Sequence, residues 1–228
     1  MEITNLVRDE CVDIFFITET WLKCQGDEAN IVDMTPVGYA LRSFPRATRA
    51  GGLAILLRDN ILDHATITSS FSFPHTTFEL VQLTVKSPAV TQLFCLYRPP
   101  PSKRNQLTDA AFITEFADFL EHCNLLPGSL IITGDFNVHF DDPKNSLARR
   151  TVELLEMYGL SQAVDFPTHR HGHTLDGVVF REEDRLLRSV SCVHGMSSDH
   201  AAVMIYLQVA KPAQLQVFQT VRNLRGVD

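Results

Sequence analysis

A carboxylate and an amide two residues apart, Asp135 and Asn137 in TGDFNVHF (residues 133–140), follow the apolar residues Leu130, Ile131 and Ile132. On an extended chain, residues so spaced project to the same side. A buried strand would therefore deliver both to the mouth of a sheet, where they could address one phosphate or one metal ion. Three further acids border apolar stretches: Glu19 in FFITETWL, Asp176 in HTLDGVVF, and Asp199 in SSDHAAVMIYL, the last beside His200. A single carboxylate in such a place is commonly a solvated turn residue or a helix cap, but four of them point to a site. Oxygen donors of this kind suit Mg²⁺, with Mn²⁺ as the alternative; such ions keep waters and substrate phosphate among their ligands. The paired histidines of a zinc protease, HExxH, do not occur. His169, His171 and His173 alternate, which reads as a polar, strand-like segment presenting them to solvent.

The elements that must position these residues are mostly strands. Apolar runs rich in strand formers cover Val12 to Thr18, Leu53 to Leu57, Leu80 to Val85, Val90 to Tyr97, Ser129 to Thr133, Gly177 to Phe180, Val190 to Val193 and Ala202 to Leu207. Phe112, Phe116, Phe119 and Leu120 form a helical stripe with Thr108 as its cap, and Leu147, Leu154, Leu155 and Tyr158 form a second that ends before Gly159. A short opening helix would carry Ile3, Leu6, Val7 and Cys11 on one side. Single strands with few intervening helices predict an α/β protein in which two mixed β-sheets pack face to face with helices outside, a four-layer α/β sandwich.

The chain has 228 residues, 45% of them apolar and 21% charged, which fits one domain with a sizeable core. That domain is expected to span residues 1–208, with 209–228 a linker toward a downstream region. No apolar run reaches the roughly 20 residues needed to cross a bilayer, and no basic-then-apolar secretory leader opens the chain. The five cysteines, an odd and scattered set without a CxxC pair, read as reduced thiols of an intracellular protein. A formal charge of −7 argues against a protein that holds nucleic acid by bulk electrostatics. It leaves a nuclease open, because carboxylates gathered around a cation contribute acidity of their own.

ITETWL, GYALRS with GGLAILLRD, CLYRPP, GDFNVHF, FPTHRHGHTLDGV and SSDHAAV occur in that order between about Ile3 and Leu207. This ordered set resembles the endonuclease/exonuclease/phosphatase superfamily, and within it the apurinic-type endonuclease domain of LINE-type non-LTR retrotransposons. The resemblance implies a DNA endonuclease that nicks one strand and leaves a 3′-hydroxyl, acts as a monomer, and forms part of a larger chain with a reverse transcriptase. It would work in the nucleus, with DNA as partner and no membrane. It also implies that Glu19 and Asp199 hold Mg²⁺, Asp135 orients or deprotonates the attacking water, and Asn137 and Tyr97 contact the scissile phosphate. Asp176 would orient a cationic His200 against that phosphate, while Thr174 and Ser198 would add phosphate contacts.

Each assignment has a plainer counterpart. Tyr97 also fits a core tyrosine at a strand end, Thr174 and Ser198 also fit turn caps, and Trp21 is expected to pack rather than stack on a base. Arg98, Lys103, Arg104, Arg149 and Arg150 are candidates for DNA phosphates, or simply solvated. The resemblance further implies an opening strand with a metal-side asparagine ahead of the first helix, and that strand is missing here; Asn5 is no substitute. The expectation is a fragment or a decayed copy that binds metal poorly and cuts slowly. A phosphatase of the same fold is the remaining alternative.

Overall fold

Apolar runs buried on both faces build the central sheet of the computed structural model, which describes residues 3–46 and 50–209. In chain order the elements are α1 (Ile3–Asp9), β1 (Ile14–Ile17), α2 (Glu28–Asp33), β2 (Tyr39–Phe44), β3 (Leu53–Arg58), α3 (Asp59–Leu62), β4 (Ala65–Thr68), β5 (Glu79–Val85), and β6 (Thr91–Tyr97). They continue with α4 (Asp109–Leu125), β7 (Ser129–Asp135), α5 (Ser146–Met157), β8 (Ser161–Gln162), β9 (Asp176–Phe180), β10 (Leu187–Val193) and β11 (Ala202–Leu207). The six-stranded sheet runs β4-β5-β6-β7-β9-β8; only the β6–β7 pair in it is parallel. α4 supplies the crossover that a parallel pair needs. Thr108 caps α4 by accepting the Ala111 N–H, as its sequence position predicted, and Asn145 caps α5.

Every residue of β6 is buried, as a central strand covered on both faces requires. On one face Leu80, Phe94, Leu96, Leu130, Ile132 and Val179 pack against Phe112, Phe116 and Phe119 of α4 and Leu147 and Leu155 of α5. On the other, Val81, Leu83, Leu93, Cys95, Ile131 and Val178 meet Leu53, Ile55 and Leu57 of β3, with Val190, Val203 and Ile205 alongside. The outer face of β3, Ala54 and Leu56, packs on Val7 of α1. Helices, large sheet, small sheets and α1 make the four layers expected of the α/β sandwich.

Two small sheets stand in the third layer: β1-β3-β2 and the hairpin β10-β11. Among the named strands β1 pairs only with β3, and β11 only with β10. Between their open edges lies a cavity of about 1380 Å³, walled by consecutive residues Ile14 to Ile17 and Ala202 to Leu207 and floored by Leu93, Cys95, Ile131 and Thr133.

Several sequence expectations needed correction. β2, β4 and β8 were not foreseen as strands: β2 carries Arg42 and Ser43 among its apolar residues, and β8 has two residues. The opening helix stops at Asp9, and Cys11 lies beyond it, exposed and at positive φ. His169, His171 and His173 sit in a turn rather than a strand, because Gly172 at positive φ closes the loop with its N–H on the His169 carbonyl. The linker expected over residues 209–228 lies, past Val209, outside the described residues.

Candidate active site

Strand register places one polar row across the large sheet. Glu79 of β5 stands opposite Tyr97 of β6, Tyr97 opposite Asp135 of β7, and Asp135 opposite Asp176 of β9. Residues directly opposite on neighbouring strands share a face, and Tyr97 belongs to the face that looks toward the small sheets. Gly134 lets β7 approach β6 here: at φ +133° a Cβ would stand 2.0 Å from the Leu96 carbonyl oxygen.

Glu19 reaches this row from the end of β1. The Tyr97 hydroxyl donates to Glu19 Oε1 at 2.5 Å, and the Trp21 indole N–H donates to Oε2 at 3.3 Å. Burial, and then the bond to Glu19, push the Tyr97 phenol far above its ordinary range, so it remains a donor. Glu19 and Trp21 both hold positive φ, and the intervening turn is pinned by the N–H groups of Thr20 and Trp21 on the carbonyls of Gly52 and Gly51. Left-handed backbone at non-glycine residues costs energy and persists where surroundings enforce it, often at functional sites. Trp21 is 57% exposed, contrary to the packing role expected of it, because the same turn aims its ring outward at the cavity.

The last residue of β7 is Asp135, and the loop that follows presents Asn137. The backbone N–H of Asn137 donates to Asp135 Oδ1 at 3.0 Å, and its side-chain amide donates to Asp135 Oδ2 at 3.1 Å and to the Arg98 carbonyl at 2.9 Å. Arg98, a candidate for DNA contact on sequence grounds, is instead buried: its guanidinium pairs with Asp109 at 2.7 Å and donates to the Asn137 carbonyl at 3.0 Å. It therefore holds the Asn137 loop from behind. No sequence pattern marked Arg98 for this task, nor Glu79, which accepts the Gly52 N–H and pairs with Arg46. Register against Tyr97 was the only signal for Glu79.

His200 completes the cluster from the segment before β11. Its Nδ1 lies 2.8 Å from Asp176 Oδ2, leaving Nε2 free of that contact. Asp135, Asp176 and His200 each offer a ligand atom within 4.8 Å of the others. Burial pushes the Asp135 carboxyl up to about 7, the Asp176 charge adds to this, and His200 opposes it. Burial lowers His200, but its hydrogen bond to Asp176 and the charges of Asp176, Asp135 and Asp199 raise it to about 9. At neutral pH the site thus pairs a carboxyl poised to exchange its proton with an imidazolium.

The remaining candidates sit differently. Asp199 lies outside this triad and faces His169 Nε2 at 3.6 Å. Ser198 Oγ accepts the His200 N–H, and buried Thr174 gives its hydroxyl proton to the Phe166 carbonyl, so both act as local ties in this geometry. His169 packs on His200, ring centroids 5.0 Å apart, and pairs with it in an isolated β-bridge.

A sequence profile of the endonuclease/exonuclease/phosphatase family matches residues 2–200. The chain belongs to that family. Members are nucleases and phosphatases, and members typically use divalent metals. In fold, this family member is similar to the AP endonuclease LMAP from Leishmania major, with 15% identity over 91% of this chain and 82% of that one, at a TM-score of 0.72. It is also similar to the 3′ phosphatase NExo from Neisseria bound to product DNA hairpin, at 18% identity, 91% and 93% coverage and a TM-score of 0.64. The Xenopus laevis APE2 catalytic domain aligns at 14% identity, 91% and 87% coverage and a TM-score of 0.63. No curated protein matches the chain by sequence.

Proposed function

We propose that this chain is a Mg²⁺-dependent endonuclease domain that hydrolyses a phosphodiester in DNA, nicking one strand to leave a 3′-hydroxyl. The observation that carries the reading is the convergence of Glu19, Asp135, Asn137, Asp176 and His200, from separate segments of the chain, on one cavity, with Tyr97 bonded to Glu19 behind it. The ordered motifs support its placement as the nuclease of a LINE-type element beside a reverse transcriptase, working in the nucleus. The DNA-bound NExo structure supports DNA as substrate class.

The donor set fits a hard divalent cation. Carboxylates of Glu19, Asp135 and Asp176 are close enough that each of the other two raises Asp135, and a cation relieves that repulsion. Glu19 is the candidate ligand, and Asp199 would have to leave His169 to join it. Bound there, Mg²⁺ would offset charge on phosphate oxygens. Asp135, held on both oxygens by Asn137, takes the proton of the attacking water. His200, oriented by Asp176, points a charged Nε2–H at the oxygens where negative charge grows.

Two observations favour a second reading, a folded but slow relic: Asp199 turned to His169, and the edges of β1 and β11 that no strand pairs among the described residues. Incubating supercoiled plasmid with the chain and Mg²⁺ decides between them. Nicking abolished by EDTA and by Asp135→Ala or His200→Ala supports the endonuclease. A rate equal to both variants, with a cooperative melt, leaves the relic; phosphate release from 3′-phosphorylated DNA without nicking marks the phosphatase.

A further inference from the structure

Two loops that carry the candidate active site also carry a cluster that hydrolysis does not use. His139 and Asp141 follow Asn137 in the loop after β7, and His173 precedes Asp176 in the turn before β9. Each offers a ligand atom within 4.8 Å of the others. Asp141 Oδ2 lies 3.0 Å from His173 Nδ1, and Oδ1 lies 4.0 Å from His139 Nδ1. The imidazole centroids are 4.5 Å apart with ring planes at 83°. The Thr174 N–H donates to Asp141 Oδ1 at 3.0 Å and fixes the carboxylate in this pose.

We propose that His139, Asp141 and His173 form a second metal site, one that takes Zn²⁺ or a similar borderline transition-metal ion. Two imidazoles and one carboxylate are a nitrogen-rich donor set that suits Zn²⁺ and does not suit Mg²⁺. The Asp141–His173 hydrogen bond by itself needs only two of the three residues; an ion accounts for His139 standing with its nitrogen toward the same carboxylate. Zn–N distances of about 2.0–2.1 Å require the three side chains to draw inward, and all three are partly exposed. The backbone bond from Thr174 is the outer contact that holds such a ligand ready. An ion here ties the loop two residues beyond Asn137 to the turn three residues before Asp176. Its role is to brace those loops, and it takes no part in bond breaking.

Two other metal-capable groups among the described residues share His200: Asp135–Asp176–His200 and His169–Asp199–His200. His200→Ala therefore removes one ligand from each of them and serves as the background. Co²⁺ is titrated into the metal-free full chain as a visible-absorption probe, and Zn²⁺ is followed by thermal melting and calorimetry. The expected result is one equivalent in His200→Ala that depends on this cluster, which wild type also binds beside any ion held at the active site, with affinity falling at least ~10-fold on adding His139→Ala or His173→Gln. Circular dichroism of the metal-free variants confirms that they fold. Binding lost in His200→Ala alone, equal binding with and without His139, or no Zn²⁺-induced shift in the folded chain overturns the proposal.

Discussion

Asp176→Asn tests the electrostatics of the site, because it removes one charge and leaves the shape. His200 Nδ1 sits 2.8 Å from Asp176 Oδ2, and that hydrogen bond and charge are the two largest influences holding His200 up at about 9. The same charge, after burial, is what lifts Asp135 to about 7. The endonuclease reading requires Asp135 ionised and His200 protonated, so the metal-free groups define a window between about 7 and 9. With asparagine at 176 both limits move to lower pH: His200 falls toward its ordinary 6.5 and Asp135 falls below 7. A hydrogen bond to a charged group contributes roughly 1.5–3 kcal/mol, which is roughly a ten- to hundredfold loss of rate at neutral pH. Initial nicking rates from pH 5 to 10 report the window, and NMR titration of the His200 ring in metal-free protein reports the group itself. If His200 still titrates near 9 in Asp176→Asn, or the profile stays in place, the pair does not control the imidazolium and the assignment fails.

Tyr97→Phe removes the donor to Glu19; partners behind a metal ligand typically matter 10–100-fold, so the Mg²⁺ needed for half-maximal nicking rises by about that factor while the melting temperature changes little. Arg98→Ala takes the buried guanidinium away from the Asn137 carbonyl while half-exposed Asp109 regains water; a hydrogen bond to a charged group contributes roughly 1.5–3 kcal/mol, read as a lower denaturation midpoint, whereas a surface control such as Arg104→Ala leaves it unchanged. Asp135 and His200 both hold protons more tightly folded than unfolded, so the native chain binds more protons and stability declines as pH rises, through Asp135 up to about 7 and through His200 between 6.5 and about 9. Metal-free melts from pH 6.5 to 9 check this, and a rising melting temperature across that range contradicts it. Amide hydrogen exchange in β1 and β11 is expected to be faster than in β6 and β7 by native-state exchange measurements; equal protection counts against the one-sided pairing.

Much of the fold was legible because strands buried on both faces read as continuous apolar runs. β11 matches its sequence-based span end to end, β5, β6 and β7 differ by one or two residues at an end, and the caps Thr108 and Gly159 mark α4 and the end of α5. Polar or short edge strands such as β4 and β8 carry no such signal, since half-buried threonines or two residues do not rise above loop composition. At the site, Asp135, Asn137, Asp176 and His200 were legible as residues at strand ends, and the structure brings them together. Arg98 and Glu79 were not, because what matters about each is a partner 11 to 39 residues away in sequence: Asp109 and the Asn137 carbonyl for one, Arg46 and Gly52 for the other. Trp21 was misread because its exposure follows from the left-handed turn beside it, which no hydrophobic pattern reports.

The division of the site between the two sheet layers has a mechanical consequence. Tyr97, Asp135 and Asp176 are rooted in the six-stranded sheet, where each sits on a strand paired on both sides. Glu19 hangs from the end of β1, while Asp199 and His200 lead into β11, and among the described residues those two strands are each paired on one side only. Residues joined to the rest by fewer buried contacts and ladder bonds open at lower free energy. The floor of the site, which positions the group that takes a proton, is therefore rigid, while the walls that bring Glu19 and Asp199 have more freedom to move. The short bonds from Tyr97 to Glu19 and from Asp176 to His200 help fasten the walls to the floor, beside the backbone bonds from Arg170 to Asp199 and from Ala201 to Thr168. Anything that pairs the free edges of β1 and β11 would tighten the candidate metal side first, and would leave Asp135 and Asn137 where they already are.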